Sequence, residues 1–295
     1  MGVGMSQVSQ LSNRAIAPLA FLAPQQTSYT ANPGLTYVYT IGGDKIAVSH
    51  IDGDGNMVPL SQINVAKEPL FVLFSHGNAD DIGTCKSYSH YIAQTTNSIV
   101  VNYDYVNYGL STPGETSELN MQQAITAVYE YMTQTLHIPS SKILIMGKSL
   151  GTAPSIHLAA KDFMDDILGV LLVSPLASGV RAVVPDRMVK SNMLNYLDNV
   201  FCPSMHYISF IRVPVFIIHG KQDNVINVKN AEILAGALHK AAYYPPLYLH
   251  GRHNDIEMNN PETFKSQVQA FVNTCFSTQR ARNDDGEGKT SLVEY

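Results

Sequence analysis

The sequence predicts an α/β fold in which a mostly parallel central sheet is flanked by helices and one crossover is replaced by a short lid insertion. Three observations carry the prediction. Short β-rich runs alternate with helical segments of ten or more residues, the pattern of right-handed crossovers between parallel strands. The run Ile143-Leu144-Ile145-Met146 is apolar without interruption, as in a strand covered on both faces, and passes straight into Gly147-Lys148-Ser149-Leu150-Gly151. The 295 residues are 45% hydrophobic and 15% charged, a composition able to bury a large core.

The N-terminus, Met1-Gly2-Val3-Gly4-Met5-Ser6, fits the N-myristoylation pattern M-G-x-x-x-[ST]. One such chain binds a bilayer only marginally, on the order of 10⁴ M⁻¹, and neither a cysteine nor a basic cluster nearby adds a second anchor. The expected membrane contact is therefore peripheral and weak. Residues 15–23 (AIAPLAFLA) have the length of a signal-peptide apolar region, but Arg14 is the only charge before them and Pro18 interrupts them, so secretion is not expected. No apolar run approaches the roughly 20 residues that span a bilayer.

Residues 1–30 are read as an N-terminal segment and 31–276 as one domain. Residues 277–295, charged and without apolar period, read as a disordered tail. The net charge of −5 speaks against a nucleic-acid partner. Cys85, Cys202 and Cys275 are too few and too scattered for a disulfide or zinc framework. The expected location is cytoplasmic, including the cytosolic face of a membrane.

Within the domain, residues 37–40 and Lys45–Ile51 read as strands joined around Gly42-Gly43, and Asp52-Gly53-Asp54-Gly55 is a turn. Residues 70–74 form a buried strand that runs into Ser75-His76-Gly77-Asn78. A helix from near Asp81 to Ile92 and a strand over 98–102 follow. After the loop 105–118, Met121, Ile125, Val128, Met132 and Leu136 mark a helix of 3.6-residue period, with Pro139 at its end. The strand 143–146 leads into a helix reaching about Phe163, then a strand over Gly169–Val173. Residues 175–212 replace one crossover and form the lid. Strands over 213–218 and Leu247–Leu249 bracket a helix of about 228–238, and the last helix begins after Pro261.

G-x-S-x-G between a buried strand and a helix is a nucleophile elbow. The serine occupies a strained turn, and glycines two residues before and after it avoid side-chain collisions. A serine nucleophile needs a base, and the base needs a carboxylate that orients it. In chain order those partners follow the serine as acid and then histidine. Asp223 lies just past the buried strand 213–218, where crevice residues of such sheets collect. His253 lies in the loop after Leu247–Leu249; His250 is its competitor but stands at the strand end. Two backbone N–H groups should form the oxyanion hole, that of Leu150 and one after Ser75, with Asn78 preferred and Ala79 the alternative. His76 reads as a histidine bracing that loop. No dinucleotide-binding glycine fingerprint is present, and the chemistry calls for no cofactor or metal.

Beyond these positions, the chain resembles the depalmitoylase branch of the α/β-hydrolase-domain family, palmitoyl-protein thioesterases of inner membrane faces. The likeness rests on IAPLAFLAP, FSHGNADDIG, YDYVNYGLSTPGETSELN, GKSLGTAPSIHLA, VSPLASGVR, VPVFIIHGKQDNVI and GRHNDIE, over roughly residues 16–272. It implies an α/β-hydrolase fold and places Ser149, Asp223 and His253 on the family's triad positions. It also implies hydrolysis of S-acyl thioesters through an acyl-enzyme, with S-acylated proteins as partners. The alternative within catalysis is a carboxylesterase or monoacylglycerol-type lipase acting on lipid or other oxygen esters; the alternative outside it is a non-catalytic binding protein. Two departures stand out: the N-terminal cysteine cluster of animal members is missing, and Asn107 replaces a glycine. Asparagine tolerates the left-handed backbone that such a loop demands. Within the lid, Met188, Met193 and Met205 beside Leu194, Leu197, Val200 and Phe201 are expected to line an acyl groove, or else to fill core beneath it.

Overall fold

The structure, a computed structural model, describes residues 21–183, 198, 199 and 201–290. Its frame is one eight-stranded sheet in the order β1-β2-β4-β3-β5-β6-β7-β8. The strands are β1 (Leu35–Tyr39), β2 (Lys45–Ile51), β3 (Phe71–Ser75), β4 (Ile99–Tyr103), β5 (Ile143–Lys148), β6 (Gly169–Val173), β7 (Val215–Gly220) and β8 (Leu247–Leu249). From β4 through β8 every neighbouring pair is parallel, while β1 and β2 add an antiparallel edge. The turn joining β1 to β2 holds Gly43 at φ 87°, a backbone shape that glycine adopts without penalty.

Strand alternation divides the core into two layers. Phe71 and Leu73 of β3 and Ile143 and Ile145 of β5 face one side, where helices α2 (Glu118–Glu130), α3 (Thr152–Ala159) and α4 (Lys229–Ala237) pack. Val72 and Phe74, with Leu144 and Met146, face the other, against α1 (Lys86–Thr96) and α5 (Pro261–Thr290). This explains why the inner strands carry unbroken apolar runs: both faces are covered.

Several boundaries differ from expectation for local reasons. Helix α1 begins at Lys86 rather than near Asp81. The Asp81 carboxylate is engaged with Ser28 and with the backbone N–H of Thr84 (2.9 Å), so residues 81–84 form a turn instead of a first helical turn. Helix α2 opens on a capping box between Ser117 and Asn120 and passes at Tyr131–Thr135 into a π-turn, which carries Met132 into the core. The helix after the elbow stops at Ala159, short of Phe163.

The last helix extends past Ser277 to Thr290, where a disordered tail was expected. Its continuation is held by polar contacts that no apolar period announces. The Arg282 guanidinium donates to the carbonyls of Asp165 (3.2 Å) and Arg212 (2.8 Å), and Gln279 donates to that of Asp166 (3.4 Å).

The described parts of the 175–212 segment are fastened to the domain. Arg181 pairs with Asp198 at 2.7 Å, Ser178 donates to the same carboxylate, and the Cys202 N–H donates to Glu118 at 2.9 Å. Phe201 packs edge-on against Phe21, and Met205 packs against the core. Of the proposed groove residues, Met188, Met193, Leu194, Leu197 and Val200 lie outside the described residues, as do residues 1–20 with Gly2.

Candidate active site

The elbow follows from sterics. A Cβ on Gly147 would lie 2.6 Å from the Gly151 carbonyl oxygen, and one on Gly151 only 2.1 Å from that of Ser75. Between these two glycines Ser149 takes φ 53°, a left-handed conformation costly for a residue with a Cβ and held by the packing around it. Strand β5 thus ends abruptly and presents the hydroxyl above the carboxyl edge of the sheet. Helix α3 then carries the chain back.

Asp223 and His253 reach this hydroxyl from the ends of β7 and β8. Their two loops are stitched together. The Lys221 N–H donates to Leu249 O at 2.8 Å, Gln222 N–H to Gly251 O at 3.0 Å, and Gly251 N–H to the Gln222 side chain at 2.7 Å. Gly220 has no Cβ, which would meet the Gly251 oxygen at 2.5 Å. The result is a continuous chain: Ser149 Oγ lies 2.8 Å from His253 Nε2, and His253 Nδ1 lies 2.7 Å from Asp223 Oδ2. Both ring nitrogens are within hydrogen-bond range, and all three residues are buried. His250 is exposed at the strand end, where its carbonyl accepts from Asn260, and takes no part.

Burial alone would raise the Asp223 pKa, but it is outweighed. Hydrogen bonds from His219 and His253, the charge of His253 and the Ile226 N–H hold the carboxyl well below the usual carboxylate range. Oδ1 also accepts from the N–H groups of Val225 and Ile226, each at 2.9 Å. The carboxylate is therefore ionised and rigid, suited to fix one tautomer of the imidazole.

Sequence reasoning missed His219. Fully buried at the end of β7, it places Nε2 2.9 Å from Ile226 O and 3.2 Å from Asp223 Oδ2, so one N–H faces two acceptors. Its signal was there: a polar side chain ending the apolar run Val215-Phe216-Ile217-Ile218, four residues before the acid. Lys148 was also passed over; its ammonium lies 3.2 Å from Glu257 and 4.1 Å from the centre of the Tyr88 ring.

The loop after β3 runs against Ser149. A Cβ on Gly77 would lie 3.7 Å from Ser149 Cβ, and Ala79 adopts φ 62°. Asn78 anchors this loop by its side chain, whose Oδ1 accepts from Leu22 N–H and Tyr108 O–H, both at 2.8 Å. His76 braces it from beneath: Nδ1 is 2.8 Å from Gly77 O, Nε2 is 3.4 Å from Asp104, and the ring packs on Tyr105. Burial lowers the His76 pKa, but Asp104 and the Gly77 carbonyl outweigh it and the net displacement is upward. Asn107 stands at φ 71°, the left-handed backbone expected at that position. Among the described residues no group of three or more His, Cys, Asp or Glu could hold a metal ion.

An eight-stranded, mostly parallel sheet flanked by helices has known counterparts. The esterase Pf2001 of Pyrococcus furiosus superposes with a TM-score of 0.65 at 16% identity, covering 86% of this chain and 97% of that one. The fold is the α/β-hydrolase fold. Among curated proteins, the alpha/beta hydrolase domain-containing protein aho-3 of Caenorhabditis elegans is 32% identical over 202 residues, 68% of this chain and 57% of that protein. Alpha/beta hydrolase domain-containing protein 17B of Xenopus laevis is 36% identical over 188 residues, 63% of this chain and 61% of that one. The chain thus spans a little over half the length of the curated relatives it matches. No protein-family model matches it.

Proposed function

We propose that the protein is a serine hydrolase that removes S-acyl groups from proteins through an acyl-enzyme on Ser149. The observation that carries this reading is the chain of short contacts from Ser149 through His253 to Asp223 at 2.8 and 2.7 Å. Ser149 Oγ attacks the acyl carbonyl carbon while His253 Nε2 takes its proton. The oxyanion of the tetrahedral intermediate is received by the backbone N–H groups of Leu150 and Asn78, beside the start of α3 where free N–H groups favour negative charge. On collapse the C–S bond breaks, and the departing sulfur takes the proton from His253. Water then repeats the sequence on the ester and frees the fatty acid.

The thioester preference rests on the resemblance of FSHGNADDIG, GKSLGT and GRHNDIE to the depalmitoylase branch. A second reading, hydrolysis of oxygen esters, is favoured by the solved neighbour Pf2001, an esterase. Membrane proximity would come from an acyl group on Gly2, since no described helix is long and apolar enough to cross a bilayer. The test is labelling with a fluorophosphonate serine probe, followed by turnover of paired thioester and oxyester substrates of equal chain length. Labelling of Ser149 with faster thioester turnover supports the proposal. Faster oxyester turnover favours the second reading, and labelling that persists in Ser149→Ala refutes the nucleophile.

A further inference from the structure

Beside the nucleophile lies a cavity of about 330 Å³ whose residues the acyl transfer leaves largely unused. Its walls come from the oxyanion loop (Asn78, Ala79, Asp80), from Tyr88 on α1, from Lys148 just before Ser149, and from Asn254 just after His253. The lining residues Lys148 and Asn254 directly precede Ser149 and follow His253 in the chain, so the cavity opens next to the pair that would exchange the proton with a departing group.

Asp80 gives that cavity its character. A Cβ on Gly77 would lie 3.0 Å from Asp80 Oδ2 and 3.7 Å from Ser149 Cβ, so the carboxyl and the nucleophile flank the same glycine. The other charges nearby are largely matched. Lys148 is bound to Glu257 at 3.2 Å, His76 faces Asp104 at 3.4 Å, and Asp81 is held by Ser28 and Thr84. Burial raises the Asp80 pKa, and His76, Lys148 and the Thr84 hydroxyl offset this only in part. A carboxylate left short of compensation is one that a substrate cation would relieve.

We propose that the cavity is a cation subsite, in which Asp80 selects substrates carrying a lysine or arginine next to the acylated residue. This deepens the proposed function and rests on it: the acyl group is transferred to Ser149, while a basic neighbour of the leaving cysteine is held by Asp80. Such a preference fits a polypeptide leaving group, whose flanking side chain falls within reach of the cavity when the sulfur departs past His253.

The experiment uses three short N-acetylated peptides, Cys-Lys, Cys-Gln and Cys-Glu, each S-acylated with the same chain, and the same series acylated on serine oxygen. The expected result is a kcat/KM about tenfold higher for the lysine peptide than for the glutamine one, the effect of one modest charge pair, with the glutamate peptide lowest. In Asp80→Asn the lysine-to-glutamine ratio should fall to about one. For the unaltered protein, raising the salt concentration should compress the same ratio, a readout independent of how the variant folds. Equal turnover of the three peptides, or a ratio that survives both Asp80→Asn and high salt, overturns the subsite. A charge preference seen only in the serine-linked series retains the subsite and removes the thioester reading. Turnover of neither series removes the catalytic reading and the subsite with it.

Discussion

Replacing Asp223 by asparagine tests the orienting role of the acid, and the structure sets the size of the effect. Four N–H groups converge on this carboxylate: His253 Nδ1 at 2.7 Å, His219 Nε2 at 3.2 Å, and the N–H groups of Val225 and Ile226 at 2.9 Å each. An asparagine keeps one oxygen and exchanges the other for NH₂, which then faces donors wherever it points. At the Oδ1 position it displaces both backbone N–H groups. At the Oδ2 position it forces His253 to turn its proton toward Ser149, so that Nε2 can no longer accept one. In a comparable triad that tautomer change lowers turnover by roughly 10⁴, equivalent to about 5 kcal/mol of barrier. The assay is kcat on a short-chain ester, with urea unfolding alongside to establish that the fold survives. A folded Asp223→Asn protein retaining more than about a tenth of the activity would refute the assignment of Asp223 as the acid.

Other predictions rest on separate contacts. His219→Phe removes the N–H shared by Asp223 and Ile226, a bond to a charged acceptor worth about 1.5–3 kcal/mol, so activity should fall by about tenfold or more. His219→Gln, which keeps an N–H donor, should restore most of the activity, and no restoration would reduce His219 to packing. Burial lowers the pKa of His50 to about 4, below its unfolded value, so the unfolded chain binds the extra proton first. The stability contributed by neutral His50 is thus present above about pH 6.5 and lost as pH falls through about 4, by about 3 kcal/mol in all; urea titrations of the protein and His50→Phe between pH 7 and 4 should diverge by that amount, and parallel curves would contradict it. Gly151→Ala should cost about 3 kcal/mol or more because its Cβ meets the Ser75 backbone, whereas Gly236→Ala, exposed in α4 with nothing within 4 Å, should stabilise by roughly 0.5–1 kcal/mol; thermal melts compare the two.

What could be read from the sequence was set by local constraints. Ser149 was legible because its turn needs glycines on both sides, and the inner strands because burial on two faces leaves only apolar residues. Asp223 and His253 were legible from chain order together with their place after buried strands. His219 was not, since its importance depends on a bend that returns its ring to the acid four residues later. The Lys148–Glu257 pair joins the elbow to the segment after β8, a contact that no periodicity encodes. The start of α1 was misplaced because the Asp81 carboxylate is committed to the N-terminal arm at Ser28. The run of α5 past Ser277 is held as far as Arg282 by carbonyl contacts from Gln279 and Arg282, and a hydrophobic pattern registers neither.

The central claim is that Ser149 becomes acylated, and intact mass spectrometry reads this directly. The protein is mixed with excess long-chain acyl thioester, quenched in acid within the first turnovers, and weighed. The predicted result is a mass increase equal to one acyl group, located to the peptide bearing Ser149 and absent from Ser149→Ala. Free fatty acid released at full rate by Ser149→Ala, or the acyl group found on another residue, would contradict it.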